Sequence, residues 1–521
     1  MIADSTPILI GAGMTVQKEK DLEKAKSPIQ QQVDAAEIAL HDTGQAANLR
    51  AALDGFAAIR SVIDSPESDA NKLPCGHYSN PGQTIADMMG LQAKQTFLAA
   101  TGGNSPQMMI NTLAERIAQG DVSAVLLTGG ESFASIMRAV MSGTDKSDWN
   151  DMPSQKPEEI GTEKVGVLPV EMAHRLNFPV NYYPIFENAL RHHLGHDVKT
   201  HMGQMGALMA PFTEVAAQHP QSWFPVARSA DELVTVTDDN RWVGYPYPKY
   251  LNSVIRIDQN AAVILTSVGK AREMGVDESK WIYLHGCADA NEIWFPAERP
   301  ELHRSHAIHH MTKLALSMAG WKIEDIDQFD LYSCFPSAVE VAIYEMGLSL
   351  DDPRPFTVTG GLPYFGGAGN AYTLMSVATM MQKLRAQKAA SGQDANGLCN
   401  GNGWFLTKHA LGLYSTAPYE GEWQREAPSV LQAKIDAGPR LEVDASPTGS
   451  GTIDSFTVAH VAGKPPTGIL LGRMSDSGKR FVANMAPEGA HTDRLMQQDP
   501  FGMRGTLSGG ENGTNIFTPD A

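Results

Sequence analysis

Asp330-Leu331-Tyr332-Ser333-Cys334-Phe335-Pro336 is the stretch on which the reading of this chain turns. A short apolar strand pattern leads into it, and a helix pattern with Val339, Ile343 and Met346 on one face leads out. The thiol and the phenol therefore stand at a strand-to-helix junction. The first helical turn has free N–H groups and the positive end of the helix dipole, which favour a thiolate. A cysteine beside phenylalanine also fits a small buried hydrophobe. Two further stretches belong with it: Gly360-Gly361-Leu362-Pro363-Tyr364-Phe365-Gly366-Gly367, and Lys408-His409-Ala410-Leu411-Gly412-Leu413.

Working outward, Pro7-Ile8-Leu9-Ile10 reads as a strand closed by Gly11-Ala12-Gly13, with helical patterns near 30–41 and 84–99. Met109, Leu113 and Ile117 recur every four residues and mark one helical face. Ala124-Val125-Leu126-Leu127-Thr128 before Gly129-Gly130 is a buried-strand pattern. Strands alternating with helices predict an α/β fold on a mostly parallel sheet. From about 135 to 250 the alternation gives way to crowded His, Pro, Met and aromatic residues, such as Asn181-Tyr182-Tyr183-Pro184, which reads as an insertion over the sheet. It resumes with Ser253 to Asp258 and Ala261 to Thr266, a helix near 304–319, and Gly403 to Thr407 as a strand candidate. Past about 430, Ile453 to Val461, Gly468 to Leu471 and Arg480 to Ala483 are short β-type runs between turn signals, expected to form a small antiparallel barrel. The Gly-, Asn-, Ser- and Thr-rich tail after about 500 is expected to be loosely held.

The 521 residues exceed one core, and the formal charge of −18 argues against nucleic acid or an anionic membrane as main partner. Cys75, Cys287, Cys334 and Cys399 are scattered, with no CxxC pair, which fits reduced thiols in a cytoplasmic protein. The start MIADSTPILIGAG lacks a basic region and is not expected to be a signal peptide, and no apolar run reaches membrane-spanning length. His192-His193, His196 and His309-His310 lack accompanying carboxylate or cysteine motifs, so no metal site is expected.

With these motifs, residues 1–420 resemble the thiolase superfamily, nearest to sterol-carrier-protein-type thiolases and type-1 thiolase-like proteins with an additional C-terminal domain. The resemblance implies two βαβαβαββ halves in α/β/α/β/α layers, an inserted loop domain and a C-terminal β-barrel-like domain. The expected boundaries are 1–255 with the insertion at about 135–250, then 256–425, then 426–521. It also implies a coenzyme A thioester as substrate, no further cofactor, and a monomer or homodimer whose C-terminal domain contacts a partner protein.

The family's catalytic residues map unevenly. Counting back from Gly130-Glu131 puts the nucleophilic cysteine at Gly103, which has no side chain to acylate. Next to it, Asn104 and Ser105 are substrate-binding candidates; either also suits the cap of the following helix, with Pro106 in its first turn. Where relatives have His-Asp-Cys-Phe this chain has Tyr332-Ser333-Cys334-Phe335, which keeps the acid/base cysteine and replaces the oxyanion histidine by a phenol. The Gly-His-Pro histidine falls at Gly367; Gly366 and Gly367 are read as an anion-binding nest or a plain tight turn, with Asn370 and Tyr372 as polar replacements. His409 retains the histidine of the last motif and is a general-base candidate, while Lys408 is expected to be solvated. The expected activity is that of an acetyl-CoA acetyltransferase-like acyl-CoA enzyme working on C–C bonds without an acyl-enzyme. The alternatives are a retro-aldolase acting on β-hydroxyacyl-CoA and a non-catalytic acyl-CoA binding protein.

Overall fold

The apolar run at Ala124 lies in a strand, β4 below, that is buried along its whole length, as a strand covered on both faces must be. The computed structural model describes residues 2–66, 69–487 and 491–520. Its first-half strands are β1 (Pro7–Val16), β2 (Gly55–Ile59), β3 (Gln95–Ala99), β4 (Ala124–Ser132) and β5 (Glu158–Ile160). The hairpin β6 (Trp242–Gly244) and β7 (Tyr247–Pro248) precedes β8 (Asp258–Ser267). The second half supplies β9 (Ile282–Asn291), β10 (Gln328–Asp330), β11 (Asn396–Gly403) and β12 (Lys408–Ser415). All except the hairpin join one sheet in the order β10-β11-β12-β9-β1-β8-β4-β2-β3-β5.

The two halves repeat one plan. β8 runs antiparallel between β1 and β4, and β12 runs antiparallel between β9 and β11. β2 pairs in parallel with β4, as β10 does with β11. The pairing of Ile8 with Tyr283 and Leu9 with Ile282 joins the halves. Alternate residues feed different cores. Ile8, Ile10 and Ile264 pack with Ala35, Ala36 and Ala39, whereas Leu9, Val263 and Leu265 pack with Met109 and Leu113. Helices therefore cover both faces. Helices Ser105–Gln119 and Tyr372–Ser391 touch each other and strands of both halves, so their N-termini meet near the centre.

The C-terminal region adds β13 (Val443–Asp444), β14 (Gly449–Ala459), β15 (Thr467–Met474), β16 (Arg480–Met485), β17 (Arg504–Gly509) and β18 (Asn515–Pro519). Pairings β14–β15, β15–β16, β16–β18, β18–β17 and β17–β14 close a five-stranded barrel filled by Phe456, Leu470, Phe481, Leu507 and Phe517. One of those pairs, β16–β18, is parallel. The expected loose tail is instead β17 and β18, without which the ring stays open. The hairpin β6–β7 attaches to the barrel where Gly244 meets Ala459. Helices Pro179–His193 and Val198–Gln218 lie against helix Pro336–Met346.

Three local expectations are corrected. The pattern at 84–99 divides into helix Pro81–Met88 and strand β3, with left-handed Gly90 (φ 68°) ending the helical path. Ser253 to Ile257 lies outside regular structure, and the strand begins at Asp258. Gly403 ends β11, and 404–407 form a turn with Trp404 and Leu406 at φ 55° and 49°.

Candidate active site

β3 ends at Ala99, and a short loop carries the chain to helix Ser105–Gln119. Gly103 lies in that loop. A Cβ placed on it would stand 2.2 Å from Tyr332 Oη, 2.6 Å from Tyr332 Cζ and 2.5 Å from the Asn402 carbonyl oxygen. The space that a nucleophile at 103 would need is filled by the phenol of Tyr332. Glycine here and tyrosine there are two halves of one steric arrangement.

Tyr332 is held from several sides. Its N–H donates to Asn400 Oδ1 (2.8 Å), and its ring meets Tyr372 edge-on at 5.5 Å. Tyr372 is fixed in turn, with its hydroxyl bonded to Thr359 Oγ1 (2.6 Å) and donated to Asp330 Oδ1 (3.2 Å). Asp330 also accepts from Ser376, Thr357, Val358 and Thr359, so this buried carboxyl ties the end of β10 to the 357–359 loop and the Tyr372 helix. Burial outweighs those hydrogen bonds and raises the Asp330 pKa.

Within the junction, Tyr332 (6%) and Cys334 (8%) keep a trace of exposure, whereas Leu331 and Ser333 are fully buried. Cys334 lies beside Tyr183, and burial pushes its thiol pKa up to about 12. The dipole of helix Pro336–Met346 does not overcome that desolvation, so Cys334 is a neutral thiol at physiological pH. Tyr183, from the insertion, stacks on Phe335 at 4.5 Å. Its hydroxyl accepts from Asn402 Nδ2 (2.9 Å) and donates to the Trp404 carbonyl (2.9 Å).

Both helix N-termini close on the Gly103 loop. Gly102 N–H donates to Asn370 Oδ1 (3.0 Å), and Thr373 Oγ1 donates to the Gly103 carbonyl (2.6 Å). Asn370 also donates from Nδ2 to the Arg60 carbonyl (2.9 Å). The Ser105 hydroxyl donates to the Ala100 carbonyl. Asn104 occupies the cap position without a side-chain capping bond, and its buried Oδ1 has no partner among the described residues. Gly366 and Gly367, read as a nest or a tight turn, lie in a packed turn: the Gly367 and Gly369 N–H groups go to the Val254 and Gly367 carbonyls. Gly366 (φ 139°) has its Cβ position 2.0 Å from Gln259 Oε1, and that of Gly367 is 2.3 Å from Ser253 Oγ.

Lys408 and His409 face opposite sides of β12. Lys408 is buried, contrary to expectation, because carbonyls distant in sequence receive it: Nζ donates to Thr101 O (2.5 Å) and Thr162 O (3.0 Å). Burial lowers its pKa to about 8, against the pull of Glu163. His409 is buried within electrostatic reach of Glu292 and Arg299, with neither ring nitrogen hydrogen-bonded among the described residues. Burial takes its pKa down to about 4 despite Glu292, so the ring is neutral near pH 7. No hydrogen bond joins it to Cys334 or Tyr332. The structure thus groups Gly103, Asn104, Tyr332, Cys334 and Asn370, and adds Tyr183 and Asn402, which the sequence reading missed. The aromatic crowding at Asn181-Tyr182-Tyr183-Pro184 was the available signal.

A repeated strand plan around two converging helix N-termini is the architecture of thiolases. An acetyl-CoA acetyltransferase from Syntrophomonas wolfei shares this fold at TM-score 0.53 and 14% identity, over 80% of this chain and 100% of that one. An Ltp2-ChsH2(DUF35) aldolase does so at TM-score 0.58 and 16% identity, over 81% and 100%. A monomeric SCP2-thiolase like protein type 1 from Mycobacterium smegmatis aligns at TM-score 0.82 and 32% identity, over 99% of each chain. Residues 430–511 match the family described as the thiolase-like protein type 1 additional C-terminal domain. No curated protein gave a match. The chain belongs to the type 1 SCP2-thiolase-like proteins.

Proposed function

We propose that this protein acts on a coenzyme A thioester, making or breaking a C–C bond on the bound substrate without passing through an acyl-enzyme. The observation that carries this is Tyr332 Oη in the space a residue-103 nucleophile would need. In the reading, Tyr332 donates its O–H to the thioester oxygen, where the two helix N-termini also favour negative charge. Cys334, a neutral thiol beside Tyr183, gives its proton to the α-carbon as the Cα–Cβ bond breaks, and its sulfur takes up the β-hydroxyl proton as the carbonyl of the leaving fragment forms, so the thiol ends neutral. Asn104 Oδ1, buried and unpartnered, accepts a hydrogen bond from the substrate. His409 has no role in this reading, because its buried ring makes no hydrogen bond to Cys334 or Tyr332.

The class is acyltransferase-like, with retro-aldol cleavage of β-hydroxyacyl-CoA as the direction that needs no nucleophile. We take the protein to work as a monomer in the cytoplasm, without a further cofactor. No helix among the described residues is long and apolar enough to cross a membrane, and all four cysteines are buried and unpaired. A panel of acyl-CoA and β-hydroxyacyl-CoA thioesters, assayed for release of a shorter acyl-CoA, tests the proposal. Turnover that falls in Cys334→Ser and Tyr332→Phe supports it.

One observation favours a second reading, a non-catalytic acyl-CoA binding protein: the Tyr183 hydroxyl beside Cys334 is already engaged by Asn402 and the Trp404 carbonyl. Calorimetric binding of coenzyme A with no turnover across the same panel would establish that reading instead.

A further inference from the structure

Behind the junction, three helices bring Glu187, His201 and Glu340 together, all fully buried, with one donor atom of each within 4.8 Å of the others. Glu187 comes from helix Pro179–His193, His201 from Val198–Gln218, and Glu340 from Pro336–Met346. His201 Nε2 contacts Glu187 Oε1 and lies 3.9 Å from Glu340 Oε2. Glu340 Oε2 is buried and has no hydrogen-bond partner among the described residues. The opposite edge of each carboxyl is held by a neighbour. Tyr247 Oη donates to Glu187 Oε2 (2.6 Å), and Gln204 Nε2 donates to Glu340 Oε1 (2.8 Å). Outer donors of this kind aim inner oxygens at a bound ion.

We infer that Glu187, His201 and Glu340 form a binding site for one divalent transition-metal ion of the zinc type, which braces the insertion against the helix that carries Cys334. Donors each about 2.1 Å from an ion stand about 3–4 Å apart, so these groups need only side-chain adjustment. Two carboxyls excluded from water must share a proton or meet a positive charge, and a bound cation supplies that charge. Arg191, the neighbouring cation, directs Nε and Nη1 to Asn188, the His196 carbonyl and Asp499, and no hydrogen bond joins it to either carboxyl. A mixed imidazole and carboxylate set suits zinc or manganese, whereas calcium and magnesium take more oxygen ligands. The ion's reach extends to the junction: Tyr247 Oη bridges Glu187 to Ser337 Oγ (2.9 Å), three residues after Cys334. The inference stands apart from the proposed reaction and holds for an enzyme or a binding protein alike.

The test is metal analysis of the full chain, purified without chelator and then stripped and reloaded. About one zinc or manganese ion per chain is expected, with Tm falling on stripping and recovering with zinc but not with magnesium. Glu340→Gln keeps the shape of a protonated acid but removes a ligand, so it should bind no metal and melt at the stripped temperature. The inference is overturned if the wild type holds no stoichiometric metal and zinc leaves Tm unchanged. It is equally overturned if Glu340→Gln melts like the untreated wild type, which would mean the two carboxyls share a proton. Should Glu340→Gln fail to fold, the wild-type metal content and its zinc-dependent Tm decide alone.

Discussion

The two halves repeat one strand plan but bring different things to the site. The first half offers a loop whose Gly103 has no side chain, and the second offers a loop whose Tyr332 reaches across into the vacated space. In one half there is no side chain, while in the other the adjoining volume is filled by a hydrogen-bond donor. The contrast teaches that two halves built on one backbone plan can bring different side chains to the same space. It also ties the two positions together sterically, so a side chain at 103 should be tolerated only where the one at 332 is cut back.

The strongest way to break the comparison is to remove the phenol's hydroxyl. Tyr332→Phe keeps the ring against Tyr372 and should lower kcat by about 10²–10³-fold, the usual cost of one oxyanion donor, with little change in Tm. If turnover survives, the second half does not hold the oxygen. Next comes Gly103→Cys, which restores the family's residue where Tyr332 leaves no room for it. We expect a loss of about 3 kcal/mol in denaturant unfolding and no acylation. Tyr332→Phe should not rescue it, because ring carbon Cζ is itself 2.6 Å from the new Cβ. Tyr332→Ala should rescue it in part, since the Asn402 carbonyl at 2.5 Å stays in place. A double-mutant cycle reads this coupling directly.

A smaller effect separates His409 from the site. Its folded-state pKa is about 4, below the ordinary 6.5 of an unfolded chain. Between those values the unfolded chain takes up a proton that the native ring refuses, so stability falls as pH drops from 6.5 towards 4. His409→Gln should remove that slope, worth about 2 kcal/mol at pH 5, while the pH profile of turnover between 6 and 8 stays the same. A changed turnover profile would return His409 to catalysis.

The junction was legible because its signals are local. Pro336 opens the helix, and Val339, Ile343 and Met346 mark its buried face. The layered fold was legible for the same reason, through buried runs such as Ala124 to Thr128. What escaped depends on partners far away in the chain. Lys408 is buried because carbonyls at Thr101 and Thr162 receive it, roughly three hundred and two hundred and fifty residues earlier. β17 and β18 have loop-like composition and become strands only by closing the ring against β14 and β16. The run Gly403 to Thr407 reads as a strand by hydrophobicity, but the positive φ of Trp404 and Leu406 turns it, a conformation that such residues rarely signal. Cys334 was placed correctly at a helix start, yet its protonation is decided by burial, which spacing along the chain does not encode.

Intact-protein mass spectrometry after incubation with acetyl-CoA tests the central claim most directly. With Gly103 unable to accept an acyl group and Cys334 neutral, the mass should be unchanged at every time point. An acetyl adduct mapped by peptide analysis to Cys334, Ser105 or another side chain of the site would contradict the account.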